Sequence, residues 1–163
     1  MSFTFTPAQN LLLAALPAKD LERLQCSLEL VPLSQEGAVY ENRCELDLVY
    51  FPVTSVIALI TMSEEGDPVT TATIGNEGVF GISMLMGLKI SPTRAVVHTA
   101  GYSYRLKAKH LRREFELGGS LRYLLQRYTR TLAAKIAQAT IPAVPYPTLG
   151  SSVFITPSTV ASA

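Results

Sequence analysis

Two cysteines and two histidines are all the thiol and imidazole metal ligands that 163 residues contain, and this scarcity removes several function classes. Cys26 and Cys44 lie far apart, so they form neither a zinc pattern nor a disulfide framework, and such usage suits a reducing cytoplasm. His98 and His110 supply no His-x-His pair, which disfavours a metal enzyme built on closely spaced histidines. Gly-x-Ser-x-Gly, Walker-loop and His-Glu-x-x-His patterns are missing as well. No apolar run reaches membrane-spanning length, because the LLLAAL run is short and ends at Pro17. The start, MSFTFTPAQN, lacks the basic residues that open a signal peptide. Charge of either sign is missing from residues 141–163.

What is present suits one globular domain with a real core: 48% hydrophobic and 17% charged residues. The net charge of +1 hides a lopsided distribution. Residues 1–104 hold 5 Lys/Arg and 11 Asp/Glu, a net of −6, whereas residues 105–140 hold 9 and 2, a net of +7. The basic run is Arg105, Lys107, Lys109, Arg112, Arg113, Arg122, Arg127, Arg130 and Lys135. It is either a nucleic-acid footprint or a solvated helix face complementing the acidic half of its own chain. The second reading is favoured, since the aromatic interleaving of a single-strand binder is absent.

The periodicity changes twice along the chain. Thr6-Pro7 fits an N-cap and first helical position, predicting a short helix over 8–16. Pro17 starts a second helix with Asp20 and Glu22 near its positive end and Leu21, Leu24 and Leu28 on its apolar side. From Leu28 the period is close to two: LELVPLS, AVYE, LDLVYF, VIALITM, PVTTATI, TRAVVHTA and YSYRLK read as strands. Glu64-Glu65-Gly66-Asp67 is a hairpin turn, and the strand spacing argues for a β-sandwich or jelly roll. From Ala108 the period is helical again. Gly118-Gly119 stops one helix, and Ser120 caps a longer one to about Thr140. Its apolar seam is Leu121, Leu125, Tyr128, Leu132 and Ile136.

Between the strands lies IGNEGVFGISMLMGLKISPTRAVV, punctuated by Gly75, Gly78, Gly81 and Gly87. The glycines predict a tight turn at Asn76–Gly78, a short helical turn from Gly81 to about Met86, and a strand from Thr93 to Thr99. Free N–H groups at the helix start would form an anion site, which a guanidinium at Arg94 would suit. The runs TATIGNEGVFG and SPTRAVV, with EGAVYE and LDLVYFPVTSVIALI upstream, resemble the phosphate-binding cassette and early strands of the cyclic-nucleotide-binding domain. The form found in Crp/Fnr-type transcription regulators is the most similar, and the resemblance covers about Asn10 to Thr140. It implies a mainly β fold with flanking helices. That fold is a cupin-like jelly roll with two short N-terminal helices and a long C-terminal helix that pairs with its twin in a homodimer.

The resemblance implies ligand-binding positions at Gly81, Ile82, Ser83, Thr93, Arg94 and Ala95. Two of them depart from the family pattern. Ile82 stands where the family has a glutamate for the sugar 2′-hydroxyl, and Thr93-Arg94-Ala95 stands where it reads Arg-Ser-Ala. A shift of one residue reverses the face of a strand. Weak or absent cyclic-AMP binding is therefore expected; a cyclic nucleotide or another small anionic effector, or a cassette kept as scaffold, are the alternatives left open.

After Ala137-Gln138-Ala139 the resemblance stops. The family's helix-turn-helix would follow; residues 141–163 instead carry prolines at 142, 145, 147 and 157 and no charge. At a typical charged usage of ~25%, such a run arises by chance about once in a thousand. A disordered or loosely docked tail is expected, from a reading-frame change or in a natural short form, with the two left open. The expected layout is N-terminal helices 1–27, a jelly-roll sensor 28–107, a helical hairpin and dimerisation helix 108–140, and the tail 141–163. The implied function is a cytoplasmic, non-enzymatic sensing and dimerisation domain, with no sequence-specific DNA binding of its own, no membrane partner and no certain cofactor. The alternative is a stand-alone ligand-binding or adaptor module that dimerises with full-length regulators.

Overall fold

A computed structural model of the chain describes residues 4–35, 37–41, 44–91 and 93–140. The tail expected at 141–163 lies outside the described residues. Among the described residues, seven strands form two antiparallel sheets. One sheet has the order β1-β7-β3, from Glu29–Leu33, Gly101–Lys107 and Leu48–Pro52. The other has the order β2-β6-β4-β5, from Ala38–Tyr40, Arg94–Thr99, Val56–Met62 and Pro68–Ile74. The strand positions follow the period-two segments of the sequence to within one or two residues. Gly66, at φ 89°, makes the β4–β5 hairpin possible, and Ser63 N–H closes it on Asp67 O at 2.8 Å.

The core lies between the sheets. On β6, Ala95 and Val97 are buried while Arg94 and His98 are exposed, as alternation demands. Their partners on β4 agree: Ala95 pairs with Leu59 and Val97 with Ile57, both buried, whereas Arg94 pairs with Ile60. Tyr40 links the two sheets. Its hydroxyl accepts from Leu48 N at 2.7 Å and donates to Asp47 Oδ1 at 2.7 Å, and its ring lies 5.5 Å from that of Phe80.

The helix expected over 8–16 is two pieces: a 3-10 turn at Pro7–Gln9 and then α1 at Leu11–Ala14. Asn10 divides them because its side chain caps the second piece, accepting from Leu12 N and Leu13 N at 3.1 Å each. Pro17 is the N-cap of α2, Ala18–Gln25, whose Leu24 reaches the core. Helix α3, Ala108–Glu116, follows β7 directly. Gly118 and Gly119, at φ 79° and 81°, turn the chain into α4, Ser120–Thr140.

Helix α4 uses part of the seam that the resemblance assigns to pairing with a twin. Leu121 and Leu125 are 2% and 0% exposed within the single chain, and Tyr128, Leu132 and Ile136 are half-buried against the same core. The helix lies along β5 and α3 of its own chain. Spacing shows that a helix has an apolar side; it does not show what covers that side.

Candidate functional site

Strand β5 delivers the chain into a turn at Asn76-Glu77, closed by Gly78 N–H on Gly75 O at 3.2 Å. A two-way bridge follows: Tyr50 N–H donates to Phe80 O at 2.9 Å and Phe80 N–H to Tyr50 O at 2.8 Å. Gly81 comes next, at φ 106°. A Cβ there would sit 2.9 Å from both Leu48 O and Val49 Cγ1, so backbone angle and close approach both demand glycine. The helical turn then runs from Ile82 to Met86 as a 3-10 helix, and Gly87 ends it at φ 90°. The return loop is anchored by Leu46 N–H to Lys89 O at 2.9 Å and Ser91 N–H to Cys44 O at 2.7 Å before β6 begins.

Local geometry therefore reproduces the expected turn, helical turn and strand, but the side chains are dealt out differently from a phosphate cradle. Ile82 is 4% exposed and belongs to the core, as does Ala95 at 0%. Ser83 and Thr93 are half-buried. Arg94 projects from the outer face of the β2-β6-β4-β5 sheet, where its Nε lies 3.2 Å from Glu41 Oε2. There it lines a cleft of about 440 Å3 with Gln35, Thr70 and His98. Neither Ile82 nor Ser83 lines that cleft. The one-residue shift in the sequence thus has its full consequence: the guanidinium and the helical turn are not brought together. The helical turn is moreover five residues of 3-10 helix, too short to carry much of a dipole towards an anion.

The cassette is coupled instead to α4. The Tyr128 ring lies on Gly78, where any Cβ would collide with the phenol, and a backbone hydrogen bond joins it to Val79. Burial pushes the Tyr128 hydroxyl well above its ordinary range, although the Val79 bond acts the other way. Two turns beyond, Lys135 Nζ lies 3.9 Å from Glu77 Oε1. At the middle of the 3-10 turn, Arg112 of α3 donates to Met84 O at 2.8 Å. The cassette is therefore clasped by both C-terminal helices, which spacing in the sequence did not reveal.

Arg105 of the basic run does meet the acidic half, pairing with Glu29 across β1 and β7 at 2.6 Å. His98 is exposed beside Thr99, and His110 Nδ1 is buried with no partner among the described residues. Among the described residues, no group of three His, Cys, Asp or Glu side chains is placed to hold a metal ion. Nor is any helix long and apolar enough to cross a membrane.

Two sheets in this order, a glycine-bounded 3-10 turn between β5 and β6, and helices packed at both chain ends define the fold of the cyclic-nucleotide-binding domain. Solved structures agree. A cyclic nucleotide-binding domain from Methylobacillus flagellatus superposes with a TM-score of 0.67 at 11% identity, over 85% of this chain and 83% of that one. The N-terminal domain of a transcriptional regulator from Streptomyces coelicolor does so with a TM-score of 0.60 at 17% identity, over 86% of this chain and 99% of that one. The c-di-GMP-responsive global regulator CLP of Xanthomonas campestris gives 0.63 at 11%, over 75% of this chain. The match spans 62% of that regulator's length. No protein-family model matches the chain, and no curated protein matches it. The sequence resemblance to the cyclic-nucleotide-binding domain of transcription regulators is met in the fold.

Proposed function

We propose that this chain is the effector-sensing domain of a Crp/Fnr-type transcription regulator, a non-enzymatic cytoplasmic switch whose effector is not cyclic AMP. The observation that carries this reading is the double clasp on the cassette. A change at residues 78–84 is felt at once by Tyr128 on α4 and by Arg112 on α3. A regulator needs that connection, because an effector acts only by favouring one of two packings. The fold shared with a regulator's N-terminal domain supports it.

On this reading residues 1–27 are supporting helices, 28–107 the sensor, and 108–140 the relay. The homodimer is part of the proposal in a narrower form than the seam alone suggested. Leu121 and Leu125 serve the protomer's own core, and the contact with a twin falls to the part of the α4 seam that this core leaves uncovered, at the half-buried Leu132. No helix-turn-helix occurs among the described residues, so sequence-specific DNA reading is not assigned to them.

The test is hydrogen exchange on the full chain against a panel of small anionic compounds, including cyclic nucleotides. A compound that raises the melting temperature should also change the exchange of residues 120–140. Stabilisation that leaves α4 exchange unaltered, or a panel that never stabilises the protein, would count against a sensing role.

A further inference from the structure

Among the basic residues with no ion-pair partner within 4 Å in the described residues, four lie close together around one cavity: Lys107, Lys109, Arg112 and Arg113. They rim a cavity of about 640 Å3 between the start of α3, the 3-10 turn and the segment entering β3. Its wall is apolar, from Leu46, Met84 and Ala108, each more than nine-tenths buried. Two carboxylates also reach it, Asp47 and Glu116. The Asp47 carboxylate is already engaged by the Tyr40 hydroxyl at 2.7 Å. Four cations against two acids leave the cavity electropositive.

We infer that this cavity is a binding site for an amphipathic organic anion, a phosphate, sulfonate or carboxylate head carried on an apolar ring or chain. Guanidinium groups grip such a head through paired N–H donors, and the low-polarity wall takes the body. Helix geometry puts the head's partners on one side, since Lys109, Arg112, Arg113 and Glu116 follow the i, i+3, i+4, i+7 rule. The site is separate from the Gly81–Ala95 positions. It is nevertheless adjacent to the cassette, because the Arg112 Nη2 that donates to Met84 O stands at its edge. An anion drawing Arg112 towards itself competes with that bond and loosens α3 from the 3-10 turn. Binding itself stands on the cavity alone, whether or not the domain regulates transcription.

The probe is 1-anilinonaphthalene-8-sulfonate, titrated into the full chain by fluorescence, with the uncharged N-phenyl-1-naphthylamine beside it. The sulfonate should bind and weaken as salt is raised, while the uncharged dye should bind far less. Lys109→Ala with Arg113→Ala should weaken the sulfonate at least about tenfold and flatten its salt dependence. Both residues are exposed, so the melting temperature should hold. The charge-keeping pair Lys109→Arg with Arg113→Lys should retain affinity, and Arg94→Ala should change nothing. Equal binding of the two dyes would overturn the site. So would full affinity in the double-alanine variant, a loss on Arg94→Ala as large as on that variant, or no sulfonate binding at all.

Discussion

Asn10→Leu should cost this domain a large share of its stability, although it replaces a polar residue by an apolar one of similar size. Asn10 is fully buried. Its Nδ2 donates to Pro52 O and to Gly78 O at 2.9 Å each, and its Oδ1 caps α1 through two further bonds. Pro52 ends β3 of one sheet, and Gly78 lies in the turn leaving β5 of the other. One amide thus fixes the N-terminal helix at the junction of both sheets, assisted by Leu11 N–H to Asn76 O at 2.7 Å. Leucine would strand two carbonyls and two N–H groups, at about 1–3 kcal/mol for each that water cannot reach. Against a total of about 5–15 kcal/mol for a typical domain, that approaches unfolding. Asn10→Asp sharpens the test, because a carboxylate has no donor for either carbonyl. Burial beside two acceptors favours its neutral form, so the folded-state affinity for a proton is raised. Its smallest deficit relative to wild type should appear below the ordinary aspartate pKa of about 3.9 and grow as pH rises. Chemical denaturation at several pH values measures both variants; a midpoint unchanged in either would remove Asn10 from this role.

Leu125→Ala should lower stability by about 2–5 kcal/mol, the usual cost of a cavity at a fully buried leucine. For a chain of this size that is a fall in melting temperature of about 5–15 °C. The fall should not depend on protein concentration, because Leu125 packs inside the protomer against the sheet core that α4 covers. A seam used only between two copies behaves differently: the variant would dissociate in sedimentation while each monomer melted as before. Thermal melts over a hundredfold range of concentration separate the two.

Strand positions were legible because period-two alternation and turn glycines act locally, and both survive into the folded chain. The outward face of Arg94 was legible for the same reason, since register in a strand decides side. Asn10 was not, because its partners at 52 and 78 are distant in sequence and any polar residue before a helix reads as a simple cap. The seam of α4 was visible as a stripe, yet the surface that covers it, β5 and the Gly78 turn, follows from tertiary packing. The basic cavity lay hidden for a related reason. The four cations of 107–113 were in view, but the apolar wall comes from Leu46 and Met84, which the fold alone sets beside them.

The most direct measurement is a calorimetric titration of the full chain with cyclic AMP, run beside Arg94→Ala. Ile82 offers no carboxylate to a ribose hydroxyl, and the only arginine of SPTRAVV is paired with Glu41 on the outer face. Losing the hydroxyl's buried partner alone is worth about 1–3 kcal/mol, and losing the phosphate's cation adds to it. The expected result is no heat of binding at micromolar nucleotide for either protein. Micromolar or tighter affinity in the wild type, abolished by Arg94→Ala, would contradict it and place the arginine inside the pocket after all.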